Sequence, residues 1–211
     1  MVGATVLLVL LASMPTLAQD AAHDWRIVPG ERVGPITADV SEADLVDLLG
    51  RDVVEPGEIH MGEDFFEPGA VLYPRDPRRK LEVVWGDTTR RALPTRVTLR
   101  GDSSLWHIDG GITLGTSLRE LERINGAEFV LLGFEWDYSG TVVSWEKGAL
   151  ERLAQPVRQV VLALDAPATG FPPDVYYAVS GDREFASSHP AMRQLNPTVH
   201  RIVFLFPRSG R

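Results

Sequence analysis

The chain of 211 residues is 44% apolar and 24% charged, carries no cysteine and has a formal net charge of -8. That charge disfavours nucleic acid and anionic lipid as partners, and the missing cysteine excludes both a disulfide framework and a lipid-acceptor thiol. The apolar fraction suits a globular core that needs no covalent staples.

In chain order, the opening stretch MVGATVLLVLLASMPTLAQD holds an apolar run from Ala4 to Ala12, followed by Pro15 and small residues at Thr16 and Ala18. This pattern predicts a secretory signal over residues 1–18, cut before Gln19, and hence a periplasmic or secreted product. The run is shorter than the roughly 20 apolar residues of a membrane span, so no stable anchor is expected after cleavage.

Val33 to Gly50 (VGPITADVSEADLVDLLG) aligns with Gly110 to Gly126 (GGITLGTSLRELERING) when the final glycines are superposed. Ile36 then meets Ile112, Thr37 meets Thr113, Ser41 meets Ser117 and Leu45 meets Leu121. In each copy a Ser precedes an apolar-periodic run ending at Gly, which predicts Ser-capped helices over 41–49 and 117–125. Downstream, Leu81 to Asp87 (LEVVWGD) resembles Arg158 to Asp165 (RQVVLALD), and Arg96 to Asp102 (RVTLRGD) resembles Val175 to Asp182 (VYYAVSGD). These segments are rich in Val, Leu and Tyr and bounded by Gly, Pro and Asp, so they read as strands, with His200 to Phe206 as an additional last strand. A helix followed by strands without helical crossovers predicts the α+β class with antiparallel sheets. The expected organisation is two tandem helix-plus-antiparallel-sheet repeats packed side by side, over 19–104 and 105–211, with a concave face between the sheets.

Between the second helix and its strands lies INGAEFVLLGFEWDYSG, Ile124 to Gly140. Phe134, Trp136 and Tyr138 alternate with Glu135 and Asp137, the period of a strand with rings on one face and acids on the other. Asp137 to Gly140 then reads as a turn with positive φ at Gly140, and Thr141 to Trp145 as the returning strand. Two readings of the ring face stand side by side. The rings pack against Leu118, Leu121 and Ile124 of the helix, or, with Trp106 and Trp145, they lie on an open sheet face as anchors for a partner.

Motifs that would carry catalysis or hold a cofactor are sparse. Ser144 and Lys147 have the spacing of a Ser/Lys pair, but on a strand their side chains diverge. His23, His60, His107, His189 and His200 are scattered without metal-binding spacing. The acidic runs around Gly62 to Glu67 and Asp109 to Gly111 lack the alternating ligands of a calcium loop. Arg75 to Lys80 (RDPRRK) reads as a solvated basic loop, and Arg100 to Asp102 (RGD) as turn chemistry. Ser187 to Pro197 (SSHPAMRQLNP) predicts a short helix after Ser188, with Pro190 in its first turn and Asn196 at its end. No Gly-rich phosphate loop or nucleophile elbow occurs, so no cofactor is expected.

The stretches GITLGTSLRELERING (Gly111 to Gly126) and GFEWDYSGTVVSWEKGAL (Gly133 to Leu150) resemble the second half of a family of exported bacterial proteins without an established activity, and the likeness extends over most of the mature chain. In plan, a helix preceding an antiparallel meander, present twice, is similar to β-lactamase-inhibitory proteins and, for one copy, to small outer-membrane assembly lipoproteins. Those families bind other proteins on an aromatic-rich sheet, so the resemblance implies a non-enzymatic module for an envelope protein or peptide. The chain lacks the paired cysteines of the former and the lipid-bearing cysteine of the latter, so neither enzyme inhibition nor tethering carries over. The residues expected to bind are Trp106, Trp136, Asp137, Tyr138 and Trp145. Two rival readings remain: a carbohydrate or small-ligand site on the same rings, and a hydrolase site between the halves using Glu135, Asp137 or His107.

Overall fold

The computed structural model describes residues 23–155 and 159–207; the expected signal segment and its cleavage point lie outside the described residues. Three short strands come first, β1 (Arg26–Val28), β2 (Arg32–Val33) and β3 (Ile36–Thr37), followed by helix α1 (Glu42–Leu49). A meander follows: β4 (Val54–Gly62), β5 (Phe65–Leu72), β6 (Leu81–Asp87) and β7 (Ala92–Arg100). Strand β8 (His107–Ile108) leads to α2 (Leu118–Asn125), the hairpin strands β9 (Val130–Leu132) and β10 (Val142–Ser144), a 3-10 turn at Ala149–Leu153, and β11 (Val160–Asp165). The last described elements are α3 (Pro173–Tyr177), β12 (Glu184–Ala186), α4 (Pro190–Leu195) and β13 (Thr198–Leu205). Among the described residues no helix is long and apolar enough to cross a membrane.

Both expected Ser-capped helices form, and each begins with a reciprocal capping box. Ser41 Oγ accepts from Asp44 N (3.2 Å) while the Asp44 carboxylate accepts from Ser41 N (2.9 Å). Glu120 closes the same box on Ser117, at 3.3 and 3.0 Å. Two otherwise orphaned amides are satisfied at each start, so the sequence position of the Ser sets where the helix begins. Gly126 ends α2 in the left-handed region, and Leu45 in α1 and Leu118 and Leu121 in α2 point into the core. The third helix expected from sequence, α4, is opened by Pro190 and closed by Asn196 at φ 46, with His189 as its cap.

The fold is mixed α+β and rich in strands, and the sheets are mostly antiparallel. The largest has the order β11-β13-β7-β6-β5-β4 and is antiparallel throughout. Its continuity departs from the expected pair of separate sheets, because β13 returns from the C-terminal half and pairs with β7 from Arg201↔Arg100 to Leu205↔Arg96. Smaller sheets are β3-β2-β1-β8, in which β1 and β8 run parallel, and β10-β9-β12. Alternation puts Leu72, Leu81, Val83, Val97, Leu99, Ile202 and Phe204 on one face of the large sheet, all buried in a core shared with Leu45, Trp106, Leu121 and Phe134. Each such aliphatic contributes about 1.5–3 kcal/mol over its exposed state.

One local expectation is corrected and another refined. Val175 to Asp182 is not a strand: Pro172 and Pro173 start α3, where a missing N–H costs nothing, and this outweighs the strand preference of Val175, Tyr176 and Tyr177. The basic run at 75–80 is the expected loop, with Arg75, Arg78 and Lys80 exposed, except that Arg79 is drawn against the core. Arg79 pairs with Asp76 at 2.6 Å and lies 4.9 Å from the Tyr73 ring centre, which closes the end of the core beside Trp25 and Trp106.

Candidate functional site

The candidate site is built from two loops at the C-terminal end of β11. The first is the hairpin loop after β9. Beyond Leu132 the chain leaves β10 and bonds instead to residues 179–183: Gly133 N donates to Arg183 O (2.9 Å), Phe134 N to Val179 O (3.0 Å), and Gly181 N to Phe134 O (2.9 Å). Capture by that segment is why Phe134 to Tyr138 is not the strand its alternation predicts. Glu135 instead takes φ 70 and starts a loop closed by bonds from Ser139 N to Trp136 O and from Thr141 N to Tyr138 O.

Gly140 ends that loop at φ 63, the positive value read from sequence. Tertiary structure adds a second requirement there, because Leu164 N donates to Gly140 O (2.9 Å) and a Cβ at this position would lie 1.8 Å from Leu164 O. The hairpin is therefore fastened to the end of β11, next to Asp165. The second loop, residues 165–172, leads into α3 and lies opposite.

Between them opens a cleft of about 630 Å³, lined by Glu135, Asp165, Phe171, Tyr176, Tyr177 and the loop backbone around Pro167 and Gly170. Tyr176 is its centre: its ring stacks on Phe134 (5.6 Å, 9°) and on Phe171 (5.8 Å, 25°) and meets Tyr177 edge-on at 6.3 Å. Burial, and then the Glu135 and Asp165 carboxylates, push the Tyr176 phenol above its ordinary value, so it remains a neutral hydroxyl. None of the lining residues is Lys, Arg or His. Two carboxylates and a set of ring faces with no internal cation make a site suited to a positively charged group.

Protein-family models, curated proteins and solved structures were compared with the chain, and none matches.

The five residues expected to bind separate into two groups. Trp136 (54% exposed) and Tyr138 (70% exposed) stand with Asp137 on the hairpin loop that directly follows the cleft residue Glu135. Trp106 and Trp145 are core residues, contrary to the open-face reading. The Trp106 indole N–H donates to Arg79 O (2.7 Å) and its ring packs edge-on against Trp25 at 4.8 Å; Trp145 packs on Phe129 at 5.2 Å. Neither presents a surface to a partner. The exposed rings occupy a loop rather than a sheet face.

Of the residues of the hydrolase reading, Glu135, Asp137 or His107, Glu135 lines the cleft and Asp137 lies on the loop, whereas His107 sits on β8 with Nδ1 at 3.0 Å from Leu105 O. Ser144 Oγ donates to the Glu146 carboxylate (2.6 Å), and Lys147 is in a positive-φ turn, so this pair has no shared axis. Sequence reasoning missed Asp165, Phe171 and Tyr176 as site residues, reading Asp165 as the end of a strand and Tyr176 as part of another. The Pro-Pro pair at 172–173 was the available signal.

Proposed function

We propose that the chain is a non-enzymatic binding module of the cell envelope that holds a segment of another protein or peptide, taking a basic side chain into the cleft between the hairpin loop and residues 165–177. The observation that carries this reading is the cleft itself: Glu135 and Asp165 line it with Phe171, Tyr176 and the exposed Tyr177, Tyr176 stacks in turn on the buried Phe134, and Trp136 and Tyr138 are exposed on the loop that follows Glu135. Exposed Trp and Tyr are the residue types that dominate interface energetics, and a cation over a ring is stabilised by about 0.5–2 kcal/mol depending on desolvation. The export signal read in residues 1–18 supports a periplasmic or secreted location for the module. In this reading the two Ser-capped helices each head one helix-plus-sheet unit of an internal duplication, supported by matching capping boxes at Ser41 and Ser117.

The test is retention on an array of extended peptides varying in Lys and Arg content. The parent protein should select peptides carrying Lys or Arg, and a Trp136→Ala, Tyr138→Ala variant with an unchanged circular dichroism spectrum should lose them. Equal retention by both proteins, or selection of acidic peptides, would sink the reading.

A further inference from the structure

A cluster of arginines lies on the outer face of the large sheet, outside the cleft lining. Alternation along β7 turns Arg96, Thr98 and Arg100 outward, and β13 turns Arg201, Val203 and Leu205 the same way. The register sets Arg201 directly opposite Arg100. Like charges opposite one another on a sheet are destabilising, so this placement needs a reason.

Elsewhere in this acidic chain arginines find carboxylates: Arg32 with Asp24 at 2.6 Å, Arg79 with Asp76 at 2.6 Å, Arg91 with Glu42 at 2.5 Å. On the outer face only Arg100 does, with Glu82 at 3.5 Å. Arg96 Nε is buried with no hydrogen-bond partner, and its Nη1 touches only Met61 Sδ at 3.9 Å. The half-buried Arg201 guanidinium has no carboxylate or hydrogen-bond partner among the described residues. Burial, and then the charges of Arg100 and Arg96, lower its pKa from the ordinary value, as expected of a cation lacking a counter-ion.

The middle of this face is largely apolar. Val84, Thr98 and Val203 are buried although they point to the outer face. Ile59 of β4 folds over Gly69, where a Cβ would lie 2.4 Å from Ile59 Cγ1, and Met61 continues this wall to Arg96. Long arginine stems covering the valines explain why stems lie there. They do not explain why Arg96 and Arg201 make no ion pair among the described residues on a face that also carries Glu55, Glu67 and Glu82.

We infer that this face binds a small ligand bearing an anionic oxygen group, a carboxylate or a phosphate, held by Arg96, Arg100 and Arg201 with its apolar part against Val84 and Val203. Guanidinium groups match both oxyanions by paired hydrogen bonds, and a half-buried position strengthens them. The site is independent of the cleft proposed above.

The test is calorimetric titration of the full chain with inorganic phosphate and, separately, with octanoate, each against sodium chloride of equal ionic strength. Saturable binding of at least one is expected, weakened about tenfold or more by Arg201→Gln, which removes a charge-assisted contact, and unchanged by Arg90→Gln on the exposed turn. Binding of phosphate alone assigns a phosphorylated ligand, octanoate alone an apolar carboxylate, and both a site read by the oxyanion. The ligand-free Arg201→Gln protein should melt at a higher temperature than the parent, since repulsion is relieved. No saturable binding of either probe, undiminished binding in Arg201→Gln, or a lower ligand-free melting temperature would overturn the inference.

Discussion

Trp106 and Trp136 are the same residue type in two regions of opposite character. Around Trp106 every group is engaged: its indole N–H reaches Arg79 O, its ring meets Trp25, and Arg79 is held by Asp76 over Tyr73. Around Trp136 the ends of the loop are also hydrogen-bonded, Phe134 to residues 179 and 181 and Gly140 to Leu164, yet the ring is half exposed. Rigidity of the chain and burial of the ring are thus separate properties. An aromatic anchor needs the first without the second, because a ring fixed before binding loses less freedom when a partner covers it.

The strongest way to break this comparison is truncation. Trp106→Ala should cost about 3–5 kcal/mol in denaturant unfolding, the range for a large buried aromatic, whereas Trp136→Ala should change stability by no more than about 0.5 kcal/mol. Comparable losses at the two positions would place Trp136 in the core. Next in size, Gly140→Ala should cost about 1–3 kcal/mol, since an added methyl group collides with Leu164 O at positive φ. Its specific signature is faster amide exchange at Leu164 and Gly181, which would show the loop coming away from β11; unchanged exchange there would mean the loop is held by other contacts.

The smallest effect sharpens the comparison by pH. Burial lowers the pKa of His200, next to Asp165 on the cleft side, below its ordinary 6.5, with Arg201 and Arg100 adding to the shift and Asp165 opposing it. The unfolded chain therefore binds more protons as pH falls below 6.5, so the stability contributed by neutral His200 is present above that value and lost as pH falls toward the folded pKa. On the Trp106 side the Arg79 hydrogen bond lowers the Asp76 pKa below 3.8, so the contribution of Asp76 is lost only at lower pH. Unfolding midpoints measured from pH 7.5 to 5 should fall, and His200→Gln should flatten that part of the profile. A slope unchanged by the substitution would assign it to another group.

Much of the fold was legible locally. The capping serines, the strand at Leu81 to Asp87, the short helix between Pro190 and Asn196, and the positive φ of Gly140 each follow from chemistry within a few residues. The cleft was half legible: Glu135 and the exposed Trp136 and Tyr138 come from the stretch singled out, but Tyr176, which stacks on Phe134 and Phe171, lies in a segment whose Tyr and Val content imitates a strand. Asn125 was not legible at all. It ends α2 in the core, where its amide donates to Trp145 O (2.9 Å) and accepts from Leu150 N (3.0 Å), a role set by residues twenty or more positions away.

By itself the sequence determined the element types wherever capping, periodicity and turn chemistry agree, since these act over three or four neighbouring residues and need no partner from elsewhere. Only the tertiary structure decided which rings face water, which strands share a sheet, and which arginines meet. Arg100 and Arg201 become neighbours through the pairing of β7 with β13, and Trp106 is buried because Arg79 and Trp25 close over it. Burial and pairing are properties of surfaces brought together across the chain, and a residue's own neighbours in sequence carry no energy that distinguishes a ring destined for the core from one left to bind.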